Sequence, residues 1–222
     1  MRTVSLLAFL AAFAGMLAGQ APDPNMFRPG LMIKITGAEI AADGTIRVRV
    51  RLTDPKGDPL DRAGVTSPGN VSVSFIAAYI PKGQSQYVAY TTRVQNSPIT
   101  GVSAVQAAGE NTGTFQKTGE GEYLYTFRAR APQSIDRSAV HTIGAYGSRN
   151  LSEFGMPTEY DDDAFHFVPN GSAVTGVRDV IRTASCNKCH HAMAFHGGSR
   201  RTMEVCVLCH TPQTVDPDTG NT

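Results

Sequence analysis

The sequence predicts a mainly β protein: an antiparallel Greek-key sandwich or barrel over residues 31–170, then a short segment with little regular structure. Three observations carry this. Apolar and polar side chains alternate in a series of short runs, and Gly, Pro, Asn and Asp separate those runs. No stretch between Leu31 and Pro169 has the 3.6-residue period of a helix. The 222 residues include 22 glycines and 13 prolines, a turn-rich composition. An apolar content of 41 % is enough for a core in one or two domains, and a formal charge of +1 gives no sign of the basic face a nucleic-acid partner needs.

Residues 1–21 have the pattern of a secretory signal peptide. Arg2 precedes an apolar run from Val4 to Leu17, with small residues before Pro22. The run is too short and wrongly flanked for a stable membrane span, and no later stretch is long enough to cross a bilayer. Export follows as the expectation. Residues 22–30 form a Pro-rich polar leader.

Strands are predicted next. "MIKIT" leads through the turn signal Asp43-Gly44 into "TIRVRVRL", where Ile46, Val48, Val50 and Leu52 share one face and Arg47, Arg49 and Arg51 the other, solvated one. "VSVSFIAAYI" places Val71, Val73, Phe75 and Tyr79 on one side, and "EYLYTFRAR" does the same with Tyr123, Tyr125 and Phe127. "HTIGAYG" and "DAFHFVP" complete the series, each strand with one face in water. His141 and His166, inside these runs, are expected to be ordinary strand histidines, and Asp161, Asp162 and Asp163 a solvated loop.

"VPNGSAV" (Val168 to Val174) marks a boundary, and residues 171–222 form a second unit. This unit holds all four cysteines, in two C-x-x-C-H motifs: Cys186, Cys189 and His190, then Cys206, Cys209 and His210. It has few apolar residues, so a conventional core cannot offset its ordering entropy, and a staple or a large cofactor is required. Disulfides suit an exported chain but leave the two histidines without a role. A C-x2-C-x16-C-x2-C zinc site is the alternative reading: a secreted β binding domain with a zinc-stapled tail. It too leaves both histidines unused.

Covalent haem c accounts for every part. The thiols of each motif would add to haem vinyl groups and the adjacent imidazole would ligate the iron, giving two attachment sites. His190 and His210 are then the proximal ligands. His196 is the first candidate for a distal ligand, because Gly197-Gly198 behind it allows a sharp turn, and His191 is the second. Met193 and Met203 are expected to be packing groups. Arg182, Lys188, Arg200 and Arg201 crowd the segment and could pair with haem propionates. The reading that follows is electron transfer by an exported carrier, with no catalytic residue.

The run "TASCNKCHHAMAFHGGSRRTMEVCVLCHTPQT" resembles the first haem segment of the outer-membrane decahaem c-type cytochromes, the OmcA/MtrC family. In that family C-N-x-C-H, a downstream H-G-G-x-R and a second C-x-x-C-H follow an N-terminal β domain. His196, Gly197, Gly198 and Arg200 fall on the H-G-G-x-R pattern. The resemblance implies His196 as a distal ligand, Arg200 as a site residue, and passage of electrons to extracellular acceptors such as ferric iron or minerals. It also implies periplasmic cytochromes and an outer-membrane porin–cytochrome complex as partners, and a location in the periplasm or at the cell surface. The family implies ten haems where this sequence has two motifs before ending at "DPDTGNT", which leads to the expectation of an N-terminal piece of a longer product. Many members are lipoproteins, whereas no cysteine lies near this N-terminus.

Overall fold

The protein is described by a computed structural model over residues 28–221. The expected signal peptide and most of the expected leader lie outside these residues.

The alternating runs form long strands at the places the sequence predicts. β1 spans Met32–Ile40, β2 Thr45–Thr53 and β3 Val71–Tyr79. β8 spans Glu122–Arg130, β9 His141–Arg149 and β10 Glu159–Phe167. Between β3 and β8 lie four shorter strands: β4 (Val88–Ala89), β5 (Thr92–Asn96), β6 (Ser103–Ala107) and β7 (Thr114–Gly119). One sheet has the order β1-β2-β8-β7, the second β10-β9-β3-β4, and β5-β6 is a separate hairpin. All pairings are antiparallel. This order matches the two four-strand layers of an immunoglobulin-type Greek-key sandwich.

The inner faces of the two sheets make the main core. Ile46, Val48, Val50 and Leu52 of β2 meet Val71, Val73, Phe75 and Ala77 of β3, with Tyr123, Tyr125 and Phe127 of β8. Phe75 stacks on Tyr125 with ring centroids 4.5 Å apart. On the far side of β2, Arg49 and Arg51 are exposed, and Arg47 pairs with Glu39 at 3.2 Å, so that face is solvated as expected. His141 is fully buried and held by Tyr90 Oη (3.2 Å) and Asp136 O (3.0 Å); His166 bonds Thr142 Oγ1 at 2.8 Å. Burial pushes both imidazoles below their ordinary pKa. Both are strand histidines with polar partners.

The acidic run is a correction to the solvated loop expected from the sequence. Asp161, Asp162 and Asp163 lie on β10, and the pleat sends their carboxylates to alternate faces. Asp161 accepts from the backbone N–H of Ile33 (2.6 Å) and Asp163 from that of Ile35 (2.7 Å) and from Lys34 Nζ (3.0 Å). They close the gap between β1 and β10, where no backbone ladder joins the two sheets. Burial pushes the Asp161 carboxyl up from 3.8 to about 6. A raised carboxyl pKa contributes stability that is present below the ordinary value and is lost as pH rises through about 6. Asp161→Asn keeps an acceptor for Ile33 without the charge. The variant's melting temperature is expected to gain on the parent's between pH 4 and 7, and a constant difference would refute this account.

The expectation of one watered face per strand holds for the first sheet and fails for the second. From Phe75 to Ala78 both faces of β3 are buried, as is β9 from His141 to Ala145. The outer face of this sheet is covered by the cysteine-bearing segment.

Candidate functional site

Each C-x-x-C motif lies on a short helix: α1 (Thr183–His190) and α2 (Met203–Cys209). Cysteines three residues apart in a helix share one face, so each pair presents its thiols together. All four thiols are free. The two helices differ in how they are held. α1 buries nothing, whereas α2 buries Val205, Val207 and Leu208 to 1 %, 8 % and 0 % exposure. Val207 and Leu208 pack with Ile76, Ala78, Tyr87 and Ala89 of the second sheet. Three such side chains are worth roughly 1.5–3 kcal/mol each. The segment was expected to lack a core of its own; the second motif borrows one from the β domain.

Gly144 of β9 makes this docking possible. A Cβ there would lie 2.6 Å from Leu208 Cδ1, with both Val205 methyls beyond it. The N-terminus of α2 is satisfied from a distance. Asp162 Oδ2 accepts from the N–H groups of Arg201 (2.7 Å) and Thr202 (3.0 Å), and Thr183 Oγ1 accepts from that of Met203 (2.8 Å). Past α2, the Gln213 side-chain amide exchanges two bonds with the Ala89 backbone (2.8 and 2.9 Å), extending the sheet at its β4 edge. Residues 214–217 then run along the β5-β6 hairpin, accepting bonds from Ala107, Gln106 and Thr100.

Between the motifs, Phe195 and Arg200 form an isolated β-bridge that closes a turn over His196-Gly197-Gly198-Ser199. His196 has φ 51°, Gly197 72° and Gly198 100°. Gly198 also lies against the Tyr160 ring, where a Cβ would be 3.0 Å away. His191, the residue after α1, has φ 57°. Among the described residues, His191 and His196 are the two that are not glycine and have a left-handed backbone. Such strain persists where surrounding structure over-determines it and gathers at functional sites.

The turn carries His196 to within 6.2 Å of His210, ring centroid to ring centroid, with planes at 38°. Two imidazoles sharing one metal through bonds of about 2 Å have centroids about 6 Å apart. Both rings line a cleft of ≈ 910 Å³ with Cys206, Cys209 and Arg200. The Arg200 guanidinium lies 3.4 Å from the centroid of the Tyr146 ring. Partial burial, then the charge of Arg200 and the neighbouring His210, hold the His196 pKa low, so its imidazole is neutral. Burial raises both Cys206 and Cys209, so their thiols stay protonated.

The sequence-derived candidates therefore divide into two groups. Cys206, Cys209, His210, His196 and Arg200 converge on one cleft. Cys186, Cys189, His190 and His191 sit together around α1; Cys189, His190 and His191 are exposed and Cys186 is partly buried. A single four-thiol zinc site needs both cysteine pairs together; among the described residues no cluster of three or more His, Cys, Asp or Glu has metal-holding geometry. The first group, with two thiols and two imidazoles about one cleft, fits a flat macrocycle in chemistry and spacing. Sequence reasoning missed Gly144, Asp162, Gln213 and the β-domain residues Arg93, Glu110 and Arg128, which also line the cleft. None has a local signature, because each acts on a partner distant in the chain.

Residues 178–222 match the family model described as outer membrane cytochrome MtrC/MtrF-like, domains II/IV. The multihaem cytochrome MtrC of Shewanella baltica (strain OS185) is 31 % identical over 109 residues, which is 45 % of this chain and 16 % of that protein. Among solved structures, the outer membrane decahaem cytochrome OmcA superposes with a TM-score of 0.66 at 22 % identity, covering 86 % of this chain and 31 % of that one. MtrC from S. baltica OS185 gives 0.59 at 22 % identity, covering 85 % and 30 %. The two superpositions support the sandwich fold, and the chain spans less than a third of each of these proteins.

Proposed function

We propose, from the match of residues 178–222 to the MtrC/MtrF-like outer membrane cytochrome model and the similarity to MtrC, that the chain belongs to this family of electron-transfer proteins and is an exported electron carrier with two covalently attached haems. The observation that carries this reading is the pair His196 and His210, ring centroids 6.2 Å apart, in one cleft with both thiols of the second motif.

In this reading Cys206 and Cys209 would form thioethers, and His210 and His196 would be the proximal and distal ligands of the same iron. Cys186, Cys189 and His190 serve a first haem on α1, with His191 available for another metal centre because its neighbour already serves that one. Residues 171–222 are then the beginning of a haem domain, and residues 31–170 the β domain that precedes it. Each haem supplies reversible one-electron exchange between ferric and ferrous iron. At the second motif Cys206 and Cys209 would hold the ring, and His196 and His210 would supply two imidazoles to its iron. Two nitrogen ligands also favour a lower potential than a Met/His pair would. The carrier role extends to the wider set of expectations: donors among periplasmic cytochromes or a porin–cytochrome complex, a position at the outer membrane, and extracellular ferric iron or minerals as acceptors.

Intact mass of the chain, matured with haem-attachment machinery, tests the reading. Two haem adducts that survive denaturation, with a Soret band to match, are expected. A colourless chain with free or oxidised sulfurs and one bound zinc would overturn it.

A further inference from the structure

We infer that the β domain supplies a carboxylate clamp to the cleft at the second motif, with Arg93 of β5 and Arg128 of β8 acting beside Arg200. The ligand chemistry it fits is the pair of propionates on a porphyrin held by Cys206 and Cys209, so the inference rests on the haem reading above.

The charge of the cleft points to this. Arg93, Arg128 and Arg200 line it against a single carboxylate, Glu110. Glu110 is already engaged: Oε1 accepts from the Arg128 backbone N–H (2.5 Å) and Tyr125 Oη (3.1 Å), and Oε2 from the Ala129 N–H (2.7 Å). Neither Arg93 nor Arg128 makes a side-chain ion pair among the described residues. By contrast Arg28, Arg47, Arg130 and Arg182 of the same chain each find a carboxylate. Arg93 lines the same cleft as Cys209 and His210 of the motif. Three cations and one occupied carboxylate leave a surplus of two positive charges, and two propionates neutralise it. Guanidinium is the group suited to hold them, since it pairs with carboxylate through two parallel bonds.

The consequence concerns the role of the β domain. The β5-β6 hairpin and the start of the loop before β7 form one wall of this cleft, and α2, the His196 turn and Tyr146 form the other. On this view the sandwich is part of the second haem's binding site and sets its potential, while the haem on α1 is left to the second unit alone.

Arg93→Gln/Arg128→Gln in the full chain, matured with both haems, tests the inference by redox titration from pH 5 to 9. Loss of two nearby cations favours the ferric form. At pH 8 one of the two one-electron waves is expected to move negative by at least tenfold in the ferric/ferrous ratio, about 59 mV for a one-electron couple. That wave is also expected to gain a pH dependence, because propionates released from guanidinium titrate nearer the ordinary carboxylate range. Arg93→Lys/Arg128→Lys should recover most of the shift. Arg51→Gln, an exposed arginine of β2 that lies opposite Glu122 at the far end of β8 from Arg128, should leave both waves in place. Two unmoved waves, or two waves moved equally, would overturn the clamp while leaving the haem reading intact. A parent chain without haem by mass would instead remove the reading on which it rests.

Discussion

Replacing Gly144 with valine is expected to lift α2 off the sheet while the sandwich beneath it stays folded. Gly144 is in the middle of β9, paired with Ile76 of β3 and Ala164 of β10, and its outer side is where Leu208 lies. A single added carbon already falls within 2.6 Å of Leu208 Cδ1, the end of a side chain with no exposed surface. Alanine is the milder change, because the Leu208 terminus can rotate away. Valine adds two further methyl groups that meet Leu208 and Val205 together, and overpacking of this kind costs about 1–3 kcal/mol. The strand itself should not suffer, since valine favours a pleated, half-buried backbone more than glycine does. Hydrogen exchange separates the two effects. The amides of residues 205–210 are expected to exchange at least tenfold faster in Gly144→Val, equivalent to about 1.4 kcal/mol, with those of β2 and β8 unchanged. Parent-like protection of α2 would show that the sheet is not what holds the second motif.

The same dependence on distant partners explains which parts of this molecule could be read from the sequence. Covalent attachment through two thiols and a following imidazole demands fixed local spacing, so the proposal for Cys186 to His190 and Cys206 to His210 could be made from spacing alone. His196 was legible as a ligand candidate from Gly197-Gly198, but its choice of metal was not, because that depends on a turn folding back 14 residues onto His210. The long strands were legible wherever one face meets the core and the other meets water, as in "TIRVRVRL". They were not where that contrast fades. β5 and β6 form a hairpin with no fully buried residue, so "TRVQN" and "SAVQA" carry no alternation of the usual kind. "FIAA" in β3 fails for the opposite reason: its outer residues are buried under α2. Asp162 was misjudged because a charged run normally means solvent, and nothing local announces that Arg201 and Thr202 need an acceptor there.

His196→Asn is expected to turn one iron of the mature chain from low-spin to high-spin while leaving the fold in place. Asparagine is chosen because the position has φ 51° and asparagine accepts the left-handed region at small cost, so the turn between Phe195 and Arg200 survives. Its amide is a poor substitute for a neutral imidazole nitrogen as an iron ligand, so the iron held by His210 loses its second strong-field partner. The haem proposed on α1 would serve as an internal reference, since none of its motif residues lines the cleft. Electron paramagnetic resonance should show a new high-spin signal integrating to one iron per chain. Added imidazole should enter the vacated position and return that iron to low spin, which a mere disturbance of folding would not permit. A spectrum identical to the parent's would mean that His196 closes no coordination sphere here, and that its strained backbone and its approach to His210 need another cause.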